Sequence, residues 1–240
     1  MRIGVTGGSG RIGKLLTRYL VRNHQVVTFG RENSNIDWTL GVRPSPLHLS
    51  QVDVLIHLSW SLSDRENDFH LNVGGTATLA AAARDAGVPF LFISSVATSS
   101  NSRYGLAKLK AEESVARENG FNLRLGLIPE ANRYAGVSKK LIGVYPQLPY
   151  LVNVTKMSDF EDYIEKWLEV DFRERNPAQP FTLVSSISTA RDLLSNSKIV
   201  IPVPYFLIRG CLLLGGFFSL RVRNLQDSLM SVTTTRLETN

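Results

Sequence analysis

Val5-Thr6-Gly7-Gly8-Ser9-Gly10-Arg11-Ile12-Gly13 is the stretch on which the reading of this chain turns. Gly7, Gly10 and Gly13 stand in the spacing GxxGxxG. Ahead of them Met1, Ile3 and Val5 alternate as one face of a strand would, and behind them Ile12, Leu15, Leu16, Tyr19 and Leu20 recur at helical spacing. A strand, a glycine turn and a helix together let backbone N–H groups approach a pyrophosphate, while the helix N-terminus adds partial positive charge. An ordinary glycine-rich loop is the alternative; the strand before and the helix after weigh against it.

A chain of 240 residues suits one large α/β domain, or a nucleotide-binding domain with a small appendage. Hydrophobic residues at 43% and charged residues at 20% are globular values and exclude a disordered chain. The 27 basic against 21 acidic residues give a net charge of +6, which suits an anionic cofactor and substrate. No basic run with interleaved aromatics occurs, so nucleic acid is not an expected partner. Cys211 is the only cysteine, which rules out an intramolecular disulfide and fits a reducing compartment. The N-terminus runs straight into the first strand without a leader pattern, so a cytoplasmic location is expected. His24, His48, His57 and His70 lack ligand-like spacing, and no metal site is expected. The apolar run 199–220 is broken by Pro202, Pro204, Arg209 and Gly215-Gly216. Its apolar stretch after Arg209, 211–218, free of proline and charge, is far short of the roughly 20 residues a span needs. A helix packed on the C-terminal lobe is expected there, in preference to a membrane-surface helix, and no transmembrane span.

Periodicity then predicts a strand at 25–29, with Gly30-Arg31 at its end, where cofactor choice is made. An acidic residue there would bond the ribose hydroxyls of NAD, whereas Arg31 can meet the 2′-phosphate of NADP; both cofactors stay open, with NADP slightly favoured. A short strand at Ile36, Trp38 and Leu40, a buried strand over 52–59, a helix over 68–86 closed by Gly87, and a strand at 90–93 follow. His57 reads as a packed strand-end residue. A hydroxyl-rich stretch, 94–102, leads into a helix over 104–119, stopped by Gly120, and a strand over 121–125. This alternation predicts a parallel sheet with helices on both faces. Farther on, a strand near 150–154, a helix over 158–168 started by a capping box of Ser158 and Glu161, a strand over 180–184 and a short helix over 188–194 are expected.

Tyr104-Gly105-Leu106-Ala107-Lys108 carries the second motif: a phenol and an amine four residues apart lie on one helix face. A nearby ammonium favours the phenolate and lowers the tyrosine's pKa from about 10. A hydroxyl from Ser94 or Ser95 beside the pair could polarise a substrate carbonyl.

In this order the motifs resemble the extended short-chain dehydrogenase/reductase superfamily, in its NAD(P)-dependent nucleotide-sugar epimerase/dehydratase branch. The resemblance rests on residues 6–13, on Asp53-Val54-Leu55-Ile56-His57-Leu58, on Asn72 with Gly75-Thr76, on Ile93-Ser94-Ser95, and on Tyr104 to Lys108 with Glu112. It implies a Rossmann-type doubly wound parallel sheet with a small C-terminal substrate-binding lobe. Residues 1–128 would form the dinucleotide-binding core and 129–240 the lobe, with 150–170 returning to the core. Tyr104 would be the acid/base, Lys108 the holder of the nicotinamide ribose, and Ser95 the carbonyl-polarising hydroxyl, ahead of Ser94. Gly7, Ser9, Gly10, Arg11 and Ile12 would cradle the pyrophosphate, Arg31 would take the adenosine phosphate, and Leu58 and Asn72 would complete the cofactor side.

The implied partner is a small molecule, a nucleotide diphosphate sugar held by the C-terminal third, with Arg133, Lys139, Lys140 and Lys156 as candidates. The implied activity is an NAD(P)-dependent oxidoreductase or epimerase, a 4-keto-sugar reductase or 4-epimerase of surface polysaccharide synthesis; a homodimer stays open. Two other readings stand beside it. One is a non-catalytic NAD(P)-binding protein of redox sensing or assembly, and the other a reductase of a small non-nucleotide carbonyl compound. Tyr104 stands only nine positions after Ser95, a shorter separation than in many epimerases of the branch.

Overall fold

In a computed structural model, the structure describes residues 1–61, 68–131, 142–147, 151–169, 179–188 and 199–204. Strand β1 (Arg2–Thr6) leads through the glycine turn into α1 (Arg11–Leu20), then β2 (Gln25–Gly30), β3 (Ile36–Asp37), α2 (Pro46–Leu49) and β4 (Val54–His57). After them come α3 (Asp68–Asp85), β5 (Phe90–Ser95), α4 (Arg103–Arg117) and β6 (Phe121–Leu125). The remaining elements are β7 (Ile142–Gln147), β8 (Val152–Val154), α5 (Met157–Glu169), β9 (Phe181–Leu183), β10 (Ser186–Ser188) and β11 (Ile199–Pro204).

Seven strands form one sheet in the order β3-β2-β1-β4-β5-β6-β9. Every pairing in it is parallel, giving the doubly wound Rossmann-like α/β fold. From β1 the chain steps outward through β2 to β3, then returns to β4 on the other side of β1 and continues outward to β6. The order reverses between β1 and β4, where a crevice opens at the carboxyl ends of the strands.

The apolar runs of the central strands have no polar face because both faces are covered. Val54 and Ile56 of β4, with Leu91 and Ile93 of β5, join Leu16 and Leu20 of α1 and Phe160, Ile164 and Trp167 of α5 in one layer. Their neighbours Leu55, Phe90 and Phe92 point the other way, to Leu79 and Ala83 of α3 and Ala111 and Val115 of α4. Strand alternation alone thus divides VLIH and FLFI between two helical layers.

Three expectations for the C-terminal third need correction. Ser158 does not cap α5: it lies inside the first turn, and its hydroxyl donates to the side chain of the adjacent Asp159. The helix instead receives tertiary partners at its start, with Met157 N–H donating to Glu130 and Lys156 N–H to Ser185 Oγ. Second, 199–204 is a strand rather than the start of a helix, paired in parallel with the equally unforeseen β7. Ile199, Val200, Ile201 and Val203 favour extended backbone, and Pro202 and Pro204 oppose a helix and push the residues before them to the β region. In a two-stranded sheet, prolines are tolerated as they are at any edge. Third, Ser188 closes β10, which pairs antiparallel with β8, in place of opening a helix. Residues 189–198 and 205–220 lie outside the described residues.

His57, at the end of β4, is fully buried. Its ring nitrogens meet Thr6 Oγ1 at 2.6 Å and Thr76 Oγ1 at 3.1 Å, so one side chain ties β1, β4 and α3 together. Burial, and secondarily the charge of Lys108, push its pKa from 6.5 down to about 3. Between those values the unfolded chain binds a proton that the folded chain does not. The His57 contribution is therefore fully present above pH 6.5 and is lost by about 1.4 kcal/mol per pH unit as the pH falls through this window. Urea unfolding at pH 7 and pH 4.5 should show this loss, and His57→Gln should remove one proton's worth of the slope.

Candidate active site

The glycine turn closes on the end of β4. Gly7 has φ of +69°, and a Cβ there would lie 2.7 Å from the backbone nitrogen of Ser59. A Cβ on Gly13 would lie 2.1 Å from the carbonyl oxygen of Gly7. Helix α1 starts at Gly10 with no side-chain cap and no acidic residue in its first turn. Its first N–H groups are therefore free to meet an anion, and the residues present fit a dinucleotide pyrophosphate. Ser9, Gly10 and Arg11 are exposed at this end, while Ile12 and Leu58 pack partly into the core beneath it. Arg31 is exposed directly after β2. Asn72, buried on α3, accepts from Ser61 N–H at 2.8 Å and donates to Ser61 C=O at 2.9 Å, which ties the chain after β4 to α3.

At the end of β5 the two serines part. Ser94 is buried with an unpartnered hydroxyl. Ser95 Oγ accepts the Ala97 N–H at 3.2 Å, and its hydroxyl lies beside the Tyr104 phenol and favours the phenolate, so Ser95 is the serine on the phenol. Tyr104 and Lys108 follow in the first two turns of α4, whose N-cap Ser102 accepts from Gly105 N–H.

Lys108 is buried and donates one of its three N–H groups to Ile93 C=O at 2.9 Å. Its Nζ lies 3.8 Å from the ring centre of Trp60 and 4.5 Å from that of Phe92. Burial pushes the amine down to about 7, with Glu112 pulling the other way. Glu112, itself buried, is held by Arg124 of β6 through contacts of 2.9 and 2.6 Å. Ring faces at such distances favour the ammonium by about 0.5–2 kcal/mol, opposing desolvation.

The expected lowering of the Tyr104 pKa is not what this arrangement produces. Lys108 Nζ stands 6.0 Å from the phenol ring centre and bonds elsewhere, and burial pushes Tyr104 up to about 12 with only the Ser95 hydroxyl opposing. Desolvation outweighs the neighbouring amine.

Sequence reasoning passed over Trp60. Its ring stands edge-on to Tyr104 at 6.1 Å and tilted on Phe92 at 5.9 Å, covering the Lys108 amine. An aromatic directly after the buried strand expected over 52–59 was the only available sign. Among the substrate-side candidates, Lys156 is exposed at the start of α5; Arg133, Lys139 and Lys140 lie outside the described residues. No cluster of metal-binding side chains occurs among the described residues, and no described helix is long and apolar enough to cross a membrane.

Residues 3–124 match the NAD dependent epimerase/dehydratase family, just over half of the chain. No protein of curated function matches the sequence. Among solved structures, the chain is similar to UDP-N-acetylglucosamine 4-epimerase from Bacillus cereus, at a TM-score of 0.68 and 15% identity over 85% of each chain. A dTDP-4-dehydrorhamnose reductase from Bacillus anthracis, in complex with NADP, is similar at 0.65 and 15% over 86% of each. A monomeric L-threonine 3-dehydrogenase from a metagenome reaches 0.68 and 15% over 84% of each. At these identities the likeness is one of fold.

Proposed function

We propose, because the chain belongs to the NAD dependent epimerase/dehydratase family and sets a hydroxyl, a phenol and an amine at one sheet edge, that it interconverts a carbonyl and an alcohol on a nucleotide sugar. The reaction is 4-keto-sugar reduction or 4-epimerisation. The observation that carries this reading is the placement of Tyr104 and the buried Lys108 amine on one face of α4, against the end of β5 that carries Ser95. When bound, a nicotinamide supplies or accepts the hydride.

In reduction, Ser95 Oγ–H holds the substrate oxygen, and the Tyr104 O–H bond breaks as its proton passes to that oxygen. The resulting phenolate is reprotonated from solvent. The Ala97 N–H already bonded to Ser95 Oγ leaves the serine's own proton available. In alcohol oxidation the proton moves the opposite way, to a Tyr104 phenolate. A phenol held near 12 is a loaded acid at neutral pH, which favours the reductive direction. Gly7, Ser9, Gly10, Arg11 and Ile12 hold the pyrophosphate, Leu58 and Asn72 shape the cofactor side, and Lys108 uses its remaining donors on the ribose. Residues 129–240 supply the substrate lobe.

NADP is the favoured cofactor because Arg31 follows β2 where a carboxylate would select NAD. Arg31→Asp is expected to weaken NADPH binding about 10–100-fold, the loss of one charge-assisted contact, and to leave NADH binding within a fewfold. Calorimetry with both cofactors checks it.

The overall reading is tested by thermal shift with NAD(H), NADP(H), UDP and dTDP, followed by turnover of 4-keto sugars. Protection by a nicotinamide cofactor and by a nucleotide diphosphate is expected. Protection by NADPH without UDP or dTDP would move the substrate to small non-nucleotide carbonyl compounds. Cofactor binding without any turnover would leave a non-catalytic redox-sensing or assembly role.

A further inference from the structure

Between Ser95 and Tyr104 the chain turns from the sheet edge into α4, and one hydrogen-bonded path runs through that turn. Ala97 is its hub. The Ala97 N–H donates to Ser95 Oγ at 3.2 Å, and its carbonyl accepts from Ser100 Oγ at 2.7 Å. Ser100 Oγ lies 2.8 Å from Ser102 Oγ, which accepts from Gly105 N–H at 3.0 Å. With the Ser100 proton committed to Ala97, the Ser102 proton goes to Ser100, so the direction of every bond is determined. Ser100 and Ser102 are 3% and 5% exposed, so water does not compete for these groups. Helix α4 is also pressed onto the hub: a Cβ on Gly105 would lie 2.1 Å from Ala97 C=O and 2.6 Å from Ser100 Oγ.

The path begins on the hydroxyl that touches the Tyr104 phenol and ends on the residue next to Tyr104. We infer that Ser100 and Ser102 are positioning residues, whose hydroxyl relay seats the start of α4 on the Ala97 peptide and so sets the Tyr104 phenol against the Ser95 hydroxyl. A helix cap alone acts locally, on the donors of the first turn. Here the cap is continued by a second hydroxyl to the peptide that orients Ser95. The relay also accounts for how the eight residues between them suffice to bring the phenol beside the serine. Its kinetic consequence rests on the reading of Tyr104 as acid/base; its geometric consequence does not.

Ser100→Ala leaves the Ser102 cap and the Ser100 N–H bond to Ala97 C=O in place, keeps a folded variant within reach, and removes the second donor to the Ala97 carbonyl and the acceptor of the Ser102 proton. Crystal structures of wild type and Ser100→Ala are expected to show the Tyr104 hydroxyl moved away from Ser95 by about 1 Å in the variant. With a 4-keto sugar, kcat is expected to fall about 10–100-fold, as for other misplacements near 1 Å, with KM for NADPH within twofold. Ser102→Ala should behave alike, and Ser102→Thr, which restores a hydroxyl, should recover most of kcat. An unchanged Ser95–Tyr104 distance in the Ser100→Ala structure overturns the inference, as does a Ser102→Thr variant no better than Ser102→Ala. If Tyr104→Phe turned over like wild type, the acid/base reading would fall, and the Ser100→Ala structure would still decide the relay.

Discussion

Replacing Tyr104 by phenylalanine is expected to lower kcat for keto-sugar reduction about a thousandfold, within the 10²–10⁴ range that a positioned general acid contributes. The substitution removes one oxygen and leaves the ring that stands edge-on to Trp60. Ser95 keeps its bond from Ala97 N–H. Melting temperature and NADPH affinity should therefore stay close to wild type while turnover is lost. Absorbance of NADPH under single-turnover conditions, with calorimetry on the same samples, separates the two quantities. A variant retaining more than a tenth of wild-type turnover would remove Tyr104 from the acid/base role.

The second large effect is expected at Gly13. An alanine Cβ there meets Gly7 C=O at 2.1 Å, Gly8 Cα at 2.8 Å and Gly7 C at 2.9 Å. All three contacts are backbone, so no flexible side chain can yield and the turn itself must open. Overpacking of this kind costs about 1–3 kcal/mol or more, and here it deforms the cradle proposed for the pyrophosphate. Gly13→Ala should weaken NADPH binding more than a hundredfold by calorimetry and lower the melting temperature. Gly74→Ala is the matched control: Gly74 sits in α3 with nothing within 4 Å of its Cβ position, and alanine should stabilise the helix slightly there without touching the cofactor. Equal effects at the two positions would mean that the turn is not a tight cradle.

The same contrast shows where sequence reading was strong. The strand before Gly7 and the helix after Gly13 each have one periodicity, and the apolar runs VLIH and FLFI are long enough to require cover on both faces. Weaker segments were decided by partners far along the chain. Ser158 has the sequence of a cap, but Ser185 and Glu130 hold the start of α5. Ile199–Pro204 has the apolar character of a packed helix, and pairing with Ile142–Gln147 makes it a strand.

At the site, spacing alone put Tyr104 and Lys108 on one helix face, because helical geometry is local. It left Ser94 and Ser95 both open, since either hydroxyl could face the cleft until the strand's orientation against α4 was known. Only the tertiary structure put Ser95 on the phenol, Trp60 over the amine and Ala97 between them. The electrostatics followed the same division. An amine near a phenol predicts a lowered pKa, yet the packed interior desolvates both groups and drives Tyr104 up to about 12 and Lys108 down to about 7. By itself the sequence determined the parallel α/β sheet, the glycine turn and the pairing of phenol with amine, all of which follow from periodicities within one or two elements. Which serine meets the phenol, what covers the lysine and how charged each is were decided only by the tertiary structure, because distance, burial and dielectric depend on residues that the chain brings together from separate elements.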